Sequence, residues 1–570
     1  MSEVALTHSQ AVVHDTIRLP RAACPEEVGV PSSAVRELIE SLEEAEYNYH
    51  SIMILRGGKV ATECHRFPFA VDSPHVVYSI SKSVTSCAVG MAVEEGYLTL
   101  DTTIAEVFPE YVPENEKEAE KFSKIRVRNL LTMTSGKMPK YLTDKTKGEW
   151  IRQYAECKWY AEPGEQFRYV NENIYMLSAM IRRLTGQTVS EFLTPRLWEP
   201  LGIETPYWET DENGTESGGW GLFLTPESFA KFALMLQQGG VWDGKQIVPK
   251  MYLEKASLPQ VATGEADRTG YGYCFWTMNE YEYLAVGVYG QVAYMRKDMD
   301  LCVVVLSGIT GSNDPLYNGI HALAEKVRNF DDTQPQEDLT DFLRNRPLDV
   351  LPQEINRSPL EEAIQNKVIR FAKPLAANLI GFPPSVLPLV AVFMTKDRAG
   401  NMDRFQFDFH GKYALFQWRE GDEVCCVRLG LDGRYRVSKV TLAGTRYTIY
   451  GAANWEDENT LHLYIRPVEC LCIRHLVLRF NEKKVELTTS TQPSLENIMS
   501  DVRFTVDQMF HTRPGREVGG ILFDSLCKIA EPTMHGDLLD KAEKAPETQE
   551  ADEILEPEAA EEIQVVEESE

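Results

Sequence analysis

The sequence predicts an α+β fold: an antiparallel sheet flanked by helices, followed by an all-β barrel-like domain and a disordered acidic tail. Three observations predict it. Strand-like segments stand at both ends of the first 330 residues, with helical periodicity between them. From Val368 to Phe480, short runs alternate apolar and polar side chains at turn-bounded intervals. The stretch from Lys541 to Glu570 carries twelve acidic and two basic residues, a composition that cannot bury a core. The expected divisions are an N-terminal arm over 1–24, the α+β domain over 25–330 and a linker over 331–365. A β-rich domain over 366–530 and the tail over 531–570 follow.

Each element has a local reason. A helix is expected from Ser32 or Ser33 to about Glu44. In Ser51-Ile-Met-Ile-Leu-Arg-Gly-Gly-Lys-Val-Ala, apolar and β-branched residues flank Gly57-Gly58, which is strand, turn, strand. Val84, Cys87, Ala88, Met91 and Ala92 recur at three and four, placing one apolar face on a helix from Ile80 to Gly96. Helices are expected at Asn173–Leu184 and Pro226–Gln238, and strands over Tyr283–Ser307. Phe330 to Pro359 is rich in Asp, Glu, Gln, Asn and Pro, as a linker is. Asp403–Phe409, Tyr435–Leu442 and Thr460–Arg466 alternate as strands. Phe405, Phe407, Phe409, Phe416 and Trp418 fall on alternate positions; a barrel core explains them, and a ligand cavity is the alternative.

Charge and composition exclude several functions. The 570 residues carry a formal net charge of −28, the wrong sign for docking on nucleic acid or anionic membrane. Pro374 to Met394 holds no charged residue, but four prolines interrupt it, so it reads as a buried turn-and-strand region and not as a span. The N-terminus has neither a basic nor an apolar leader segment. The 11 cysteines show no zinc-type spacing, which fits reduced thiols in a cytoplasmic protein. No metal site and no cofactor is readable: HExxH, paired CxxC, GxGxxG, GxxxxGK[ST] and GxSxG are all missing from the chain.

Three short signals carry chemistry. In Ser79-Ile80-Ser81-Lys82, positions three apart share one helix face, so Lys82 can reach the Ser79 hydroxyl. A desolvated lysine has a lowered pKa and can take its proton. Taken alone, the tetrapeptide is a weak signal, and a capping serine with a solvated lysine is the plainer reading. Tyr169-Val170-Asn171 offers a phenol that can relay a proton and an amide that can donate to a carbonyl; a core tyrosine and a turn asparagine are the plain alternative. Gly287-Val288-Tyr289-Gly290-Gln291 opens a strand-like segment where a substrate backbone could approach and a main-chain amide could stabilise an oxyanion. A β-turn without chemistry is the other reading. His50, His65 and His75 read as surface or packing residues, with one of them lining the pocket as the alternative.

The order of these signals resembles the serine β-lactamase and penicillin-binding-protein superfamily, in its class C-like branch with esterases and amidases. The resemblance spans about Pro25 to Ser307. It runs through Tyr78-Ser-Ile-Ser-Lys-Ser, Glu94-Glu-Gly-Tyr-Leu-Thr-Leu-Asp, Leu130-Leu-Thr-Met-Thr-Ser-Gly and Pro163-Gly164 ahead of Tyr169-Val-Asn. Pro200-Leu-Gly-Ile, Gly218-Gly-Trp-Gly-Leu and Gly239-Gly-Val-Trp-Asp-Gly continue it. It implies Ser79 as the acylated nucleophile, Lys82 as base or proton relay and Tyr169 as a second proton shuttle. Asn171 would orient Lys82 and the substrate, and the amides of Ser79 and Gln291 would form the oxyanion hole. One departure stands out: where the family places Lys, His or an aromatic residue after the first glycine of the third motif, this chain has Val288, with Tyr289 next. The expected function is hydrolysis of a small ester or amide. β-Lactam or D-peptide cleavage, acyl transfer and a catalytically silent binding module are the alternatives. The β-rich domain could shape the active-site mouth, bind a small ligand or form a homo-oligomer.

Overall fold

The computed structural model describes residues 18–138, 150–264, 268–344, 346–348, 351–352, 354–373, 384–387, 400–498 and 531–539. Most of the Pro374–Met394 stretch lies outside the described residues.

The first domain is built on β1 (Tyr49–Arg56), β2 (Lys59–His65), the short β3 (His75–Val76) and β4 (Phe223–Leu224), and the small hairpin β5 (Val241–Trp242) and β6 (Lys245–Gln246). β7 (Val261–Ala262), β8 (Gly270–Tyr271), β9 (Trp276–Thr277), β10 (Glu282–Gly287), β11 (Gln291–Arg296) and β12 (Leu301–Ser307) complete it. Its main sheet is ordered β2-β1-β12-β11-β10-β9-β8-β7, antiparallel at every pairing. The chain's first strand thus pairs with the last strand of the domain, as the ends-and-middle pattern predicts. β12 is buried at every position, and β1 at all but Arg56. Strands this apolar are covered on both faces. The helix Pro226–Gln237 packs on β1, β11 and β12, and the helices Ser32–Glu44 and Asp314–Arg328 pack on each other. Gly319 allows that last contact, because a Cβ there would press on Leu38.

The segment expected as a linker is held down. Leu339 is buried in the first domain's core. Phe342 lies between the guanidinium groups of Arg36 and Arg346, at 3.9 and 3.8 Å. Arg346 also pairs with Glu43, and the Leu348 amide donates to the Phe67 carbonyl.

The second domain consists of β13 (Val368–Phe371), β14 (Met402–His410), β15 (Tyr413–Glu420), β16 (Glu423–Gly430) and β17 (Arg436–Leu442). β18 (Thr445–Trp455), β19 (Thr460–Pro467), β20 (Ile473–Asn481), β21 (Lys484–Gln492) and β22 (Met534–Leu539) follow. The order β16-β15-β14-β13-β22-β21-β20-β19-β18-β17 closes on itself where Gly430 of β16 pairs with Ala452 of β18. β17 pairs with β18 and gives Val440 and Leu442 to the same core. Alternation makes the core: β15 is buried at every second residue, and Phe405, Phe407, Phe416 and Trp418 stack or cross one another at 4.9–5.3 Å. These rings fill the barrel, as the core reading expected.

One expectation is corrected. Met534–Leu539 falls inside the stretch predicted to be a disordered tail, yet it is β22, paired with both β13 and β21. Six residues flanked by acidic sequence give too short an alternation to read, and only the gap between two other strands gives them a partner. Among the described residues no helix is long and apolar enough to cross a membrane, and the cysteines are unpaired thiols.

The domains meet beside β3. The barrel loop 468–472, between β19 and β20, presents the Glu469 carbonyl to the Val76 amide at 3.0 Å. Phe67 packs on Tyr435 and Tyr450, with ring centroids 6.0 and 5.7 Å apart.

Candidate active site

The site is assembled where β3 runs into the helix Ile80–Glu94. The Val77 amide donates to the Leu222 carbonyl at 2.9 Å, which fixes the strand just before the turn. Tyr78 then adopts a left-handed backbone, φ +46. Bending there costs a non-glycine residue about 1–2 kcal/mol, and it reverses the chain so that Ser79 caps the helix. Ser79 is partly exposed. Burial on the helix behind it is nearly complete, from Ile80 to Ala92.

Lys82, one turn on, is 1% exposed. Its Nζ donates to Ser79 Oγ at 2.8 Å and to the Gly219 carbonyl at 2.6 Å. Neither acceptor is a carboxylate. Burial lowers the ammonium from the ordinary lysine range to about 7, with Cys274 and Glu172 opposing the shift. A buried amine with no charge partner in hydrogen-bond contact is poised between its two protonation states near neutral pH.

Tyr169 forms the adjoining wall, its ring centroid 5.0 Å from Lys82 Nζ. It lies parallel to Trp276 at 5.9 Å, and the Arg268 guanidinium sits 4.2 Å over the Trp276 ring. Asn171 caps the helix Glu172–Thr185. Its carbonyl and Lys82 Nζ approach the same side of Gly219, where a Cβ would meet them at 3.0 and 3.6 Å. No hydrogen bond joins Asn171 to Lys82 among the described residues. Gly219 was missed as a site residue by sequence reasoning: it entered only within the Gly218-Gly-Trp-Gly-Leu match, and a role as carbonyl acceptor leaves no side-chain signature.

The third motif is the turn between β10 and β11, and it opens β11 at Gln291. Gly287 is the last β10 residue and pairs with Gln291, the first of β11. The Gln291 side chain is turned into the core, donating to the carbonyls of Val288, Tyr289 and Ser307. Gly287 backs onto the turn that carries Ser79, since a Cβ there would lie 2.5 Å from the Val77 carbonyl. Val288 is 37% exposed, whereas Tyr289 is 5% exposed and packs inward. The structure thus brings Ser79, Lys82, Tyr169, Asn171 and this turn into one region.

His50 and His75 are packing residues. Both are buried, and His50 Nδ1 lies 2.9 Å from His75 Nε2. Burial holds His75 down at about 4 and His50 well below its ordinary value, so both are neutral near pH 7. His65 is part-buried, bonded to Ser51 and Glu63. No group of His, Cys, Asp and Glu that could hold a metal ion occurs among the described residues.

In this fold a serine and a buried lysine thus stand one helical turn apart. The sequence model of the Beta-lactamase family matches residues 38–328, half of the chain, and the chain belongs to that family, within the serine hydrolase superfamily. It is 23% identical over 332 residues to a 6-aminohexanoate-dimer hydrolase of Paenarthrobacter ureafaciens, covering 53% of this chain and 83% of that one. It is 28% identical over 137 residues to penicillin-binding protein 4 of Amycolatopsis lactamdurans, where it spans 23% of this chain and only 35% of the relative's length. Among solved structures, a putative 6-aminohexanoate-dimer hydrolase from Bacillus anthracis is 22% identical, covering 55% of this chain and 87% of that one with a TM-score of 0.45.

Proposed function

We propose that the protein hydrolyses a small ester or amide through an acyl-Ser79 intermediate. The observation that carries this is the 2.8 Å contact between Ser79 Oγ and a buried Lys82 whose ammonium is lowered to about 7. In the neutral form, Lys82 accepts the proton as Ser79 Oγ attacks the carbonyl carbon. The proton is passed to the leaving alcohol or amine as the tetrahedral intermediate collapses. Tyr169, beside Lys82, then takes a proton from the water that cleaves the acyl-enzyme, which releases the acid and restores Ser79. Asn171 orients the substrate carbonyl side. The Ser79 amide is one oxyanion donor, and the turn Gly287–Gln291 supplies the other. Gln291 is held in register opposite Gly287, and Val288 is the first residue beyond that pair, following the glycine that touches the Val77 carbonyl.

One relative named above is a 6-aminohexanoate-dimer hydrolase, so 6-aminohexanoate dimers belong in the substrate panel beside short esters and β-lactams. Against the β-lactam or D-peptide reading stands Val288, which offers no charge-assisted bond to a substrate carboxylate.

The test is intact-protein mass after exposure to a fluorophosphonate, comparing wild type with Ser79→Ala. One adduct on wild type and none on the variant is expected, with the melting temperatures within a few degrees of each other. A folded wild type that takes no adduct and turns over no small ester sinks the reading in favour of a silent binding module.

A further inference from the structure

Among the described residues, the barrel side reaches the catalytic centre through two tyrosines. Tyr78 precedes the nucleophile and Tyr289 lies in the middle of the third-motif turn. Both are left-handed, at φ +46 and +65, a conformation that a bulky residue keeps only where its surroundings over-determine it. Their rings meet edge to face, 5.2 Å between centroids. The residues that bury the pair include Leu471 and Cys472 of the barrel loop and Ile498 of the helical turn 495–498, each at most 1% exposed. Tyr289 Oη donates to the Ile498 carbonyl at 3.1 Å. On its other side, the Tyr289 carbonyl accepts from Ser307 Oγ at 2.6 Å and Gln291 Nε2 at 3.0 Å. Gly290, next in the turn, has no room for a Cβ, which would overlap Ser307 Oγ and Tyr47 Oη.

We propose that the barrel sets the oxyanion hole: the elements 468–472 and 495–498 clamp the Tyr78–Tyr289 pair, which makes Tyr289 and Leu471 positioning residues for the two backbone amides. Tyr78 shares a peptide unit with the Ser79 amide, and Tyr289 lies within the turn Gly287–Gln291 that supplies the other proposed donor. A shift of either ring therefore moves a donor, and displacing donors by a fraction of an ångström weakens the tetrahedral state more than substrate binding. The inference rests on the acyl-serine reading.

The experiment measures kcat and KM on a small ester, together with affinity for phenylboronic acid, a probe whose tetrahedral serine adduct fills the oxyanion hole. Tyr289→Phe keeps the ring and loses the bond to the barrel. We expect kcat to fall about tenfold and boronate affinity to fall in step, with KM within about twofold. Leu471→Ala shifts the same quantities in the same direction. Leu463→Ala, a cavity elsewhere in the barrel core, is the control: it lowers the melting temperature and leaves kcat and boronate affinity alone. Folded Tyr289→Phe and Leu471→Ala with wild-type values overturn the inference, as does an equal loss in Leu463→Ala. If Leu471→Ala does not fold, Tyr289→Phe decides alone. A wild type that neither reacts with fluorophosphonate nor binds the boronate overturns the acyl-serine reading and this inference together; a reactive wild type with unchanged variants overturns this inference only.

Discussion

Both domains bury an ionisable side chain that is displaced to about neutral pH, and they surround it differently. Lys82 of the first domain is lowered to about 7 by burial. Its hydrogen bonds go to a hydroxyl and a carbonyl, and the hydroxyl is partly open to solvent. Glu420 of the barrel is raised to about 7 by burial. It is wrapped: Ser385 Oγ, the Val386 amide and Trp418 Nε1 all donate to its Oε1. Arg474, itself paired with Glu531, lies close enough to favour its charged form. A displaced group beside an accessible nucleophile does chemistry. One enclosed by donors that pin the segment 384–387 to the end of a strand holds structure.

The strongest way to break this contrast is Lys82→Met. Removing a general base costs about 10²–10⁴-fold, so acylation of Ser79 should fall into that range while the chain stays folded. At pH 7 the variant should melt no lower than wild type. The sign follows from the shift: in the native state Lys82 sheds its proton near pH 7, the unfolded lysine near 10.4, so its burial opposes folding below the latter value. The same shift predicts that wild-type kcat/KM rises with pH through about 7, because the neutral amine is the active form. A flat profile between pH 6 and 8, or a variant that unfolds, would put Lys82 on the structural side with Glu420.

How much of this was legible depended on what kind of signal each part leaves. The sheet of the first domain was readable because Ile52, Ile54 and the Val303–Val305 run are β-branched and apolar, as strands covered on both faces are, and its helices because their apolar residues recur at three and four. Ser79 and Lys82 were readable because a helix brings i and i+3 together. β22 was not, since its place is set by β13 and β21 far away in sequence. The clamp on Tyr78 and Tyr289 was invisible for the same reason: two left-handed tyrosines and a barrel loop nearly two hundred residues further on share no local pattern. Gly219 contributes a carbonyl, which every residue has.

The barrel's side of the contrast is sharpened by Glu420→Gln. A carboxyl raised in the native state binds its proton more tightly there than in the unfolded chain. It contributes stability that is complete below about pH 4.3, the unfolded value, and is lost as pH rises through about 7. The wild-type melting temperature should therefore fall over that window, and Glu420→Gln, which cannot ionise, should flatten the fall. Ester turnover should be unchanged. Loss of turnover with stability intact would show that Glu420 is coupled to the catalytic centre, and the division drawn between the two buried groups would not hold.

The smallest effect is expected at Val288, on the rim of the site. A lysine introduced there lies where the family's third motif carries a cation, but at a position 37% exposed. Partly exposed ion pairs contribute about 0–1 kcal/mol, so Val288→Lys should lower KM for a carboxylate-bearing ester by only a few-fold relative to its neutral analogue. The gain should shrink as salt screens the pair. If the preference does not move, the carboxylate of such a substrate lies elsewhere. Arg268, over Trp276 and one ring removed from Tyr169, is then the cation to replace, because its loss would discriminate between an acidic and a neutral substrate without touching Ser79 or Lys82.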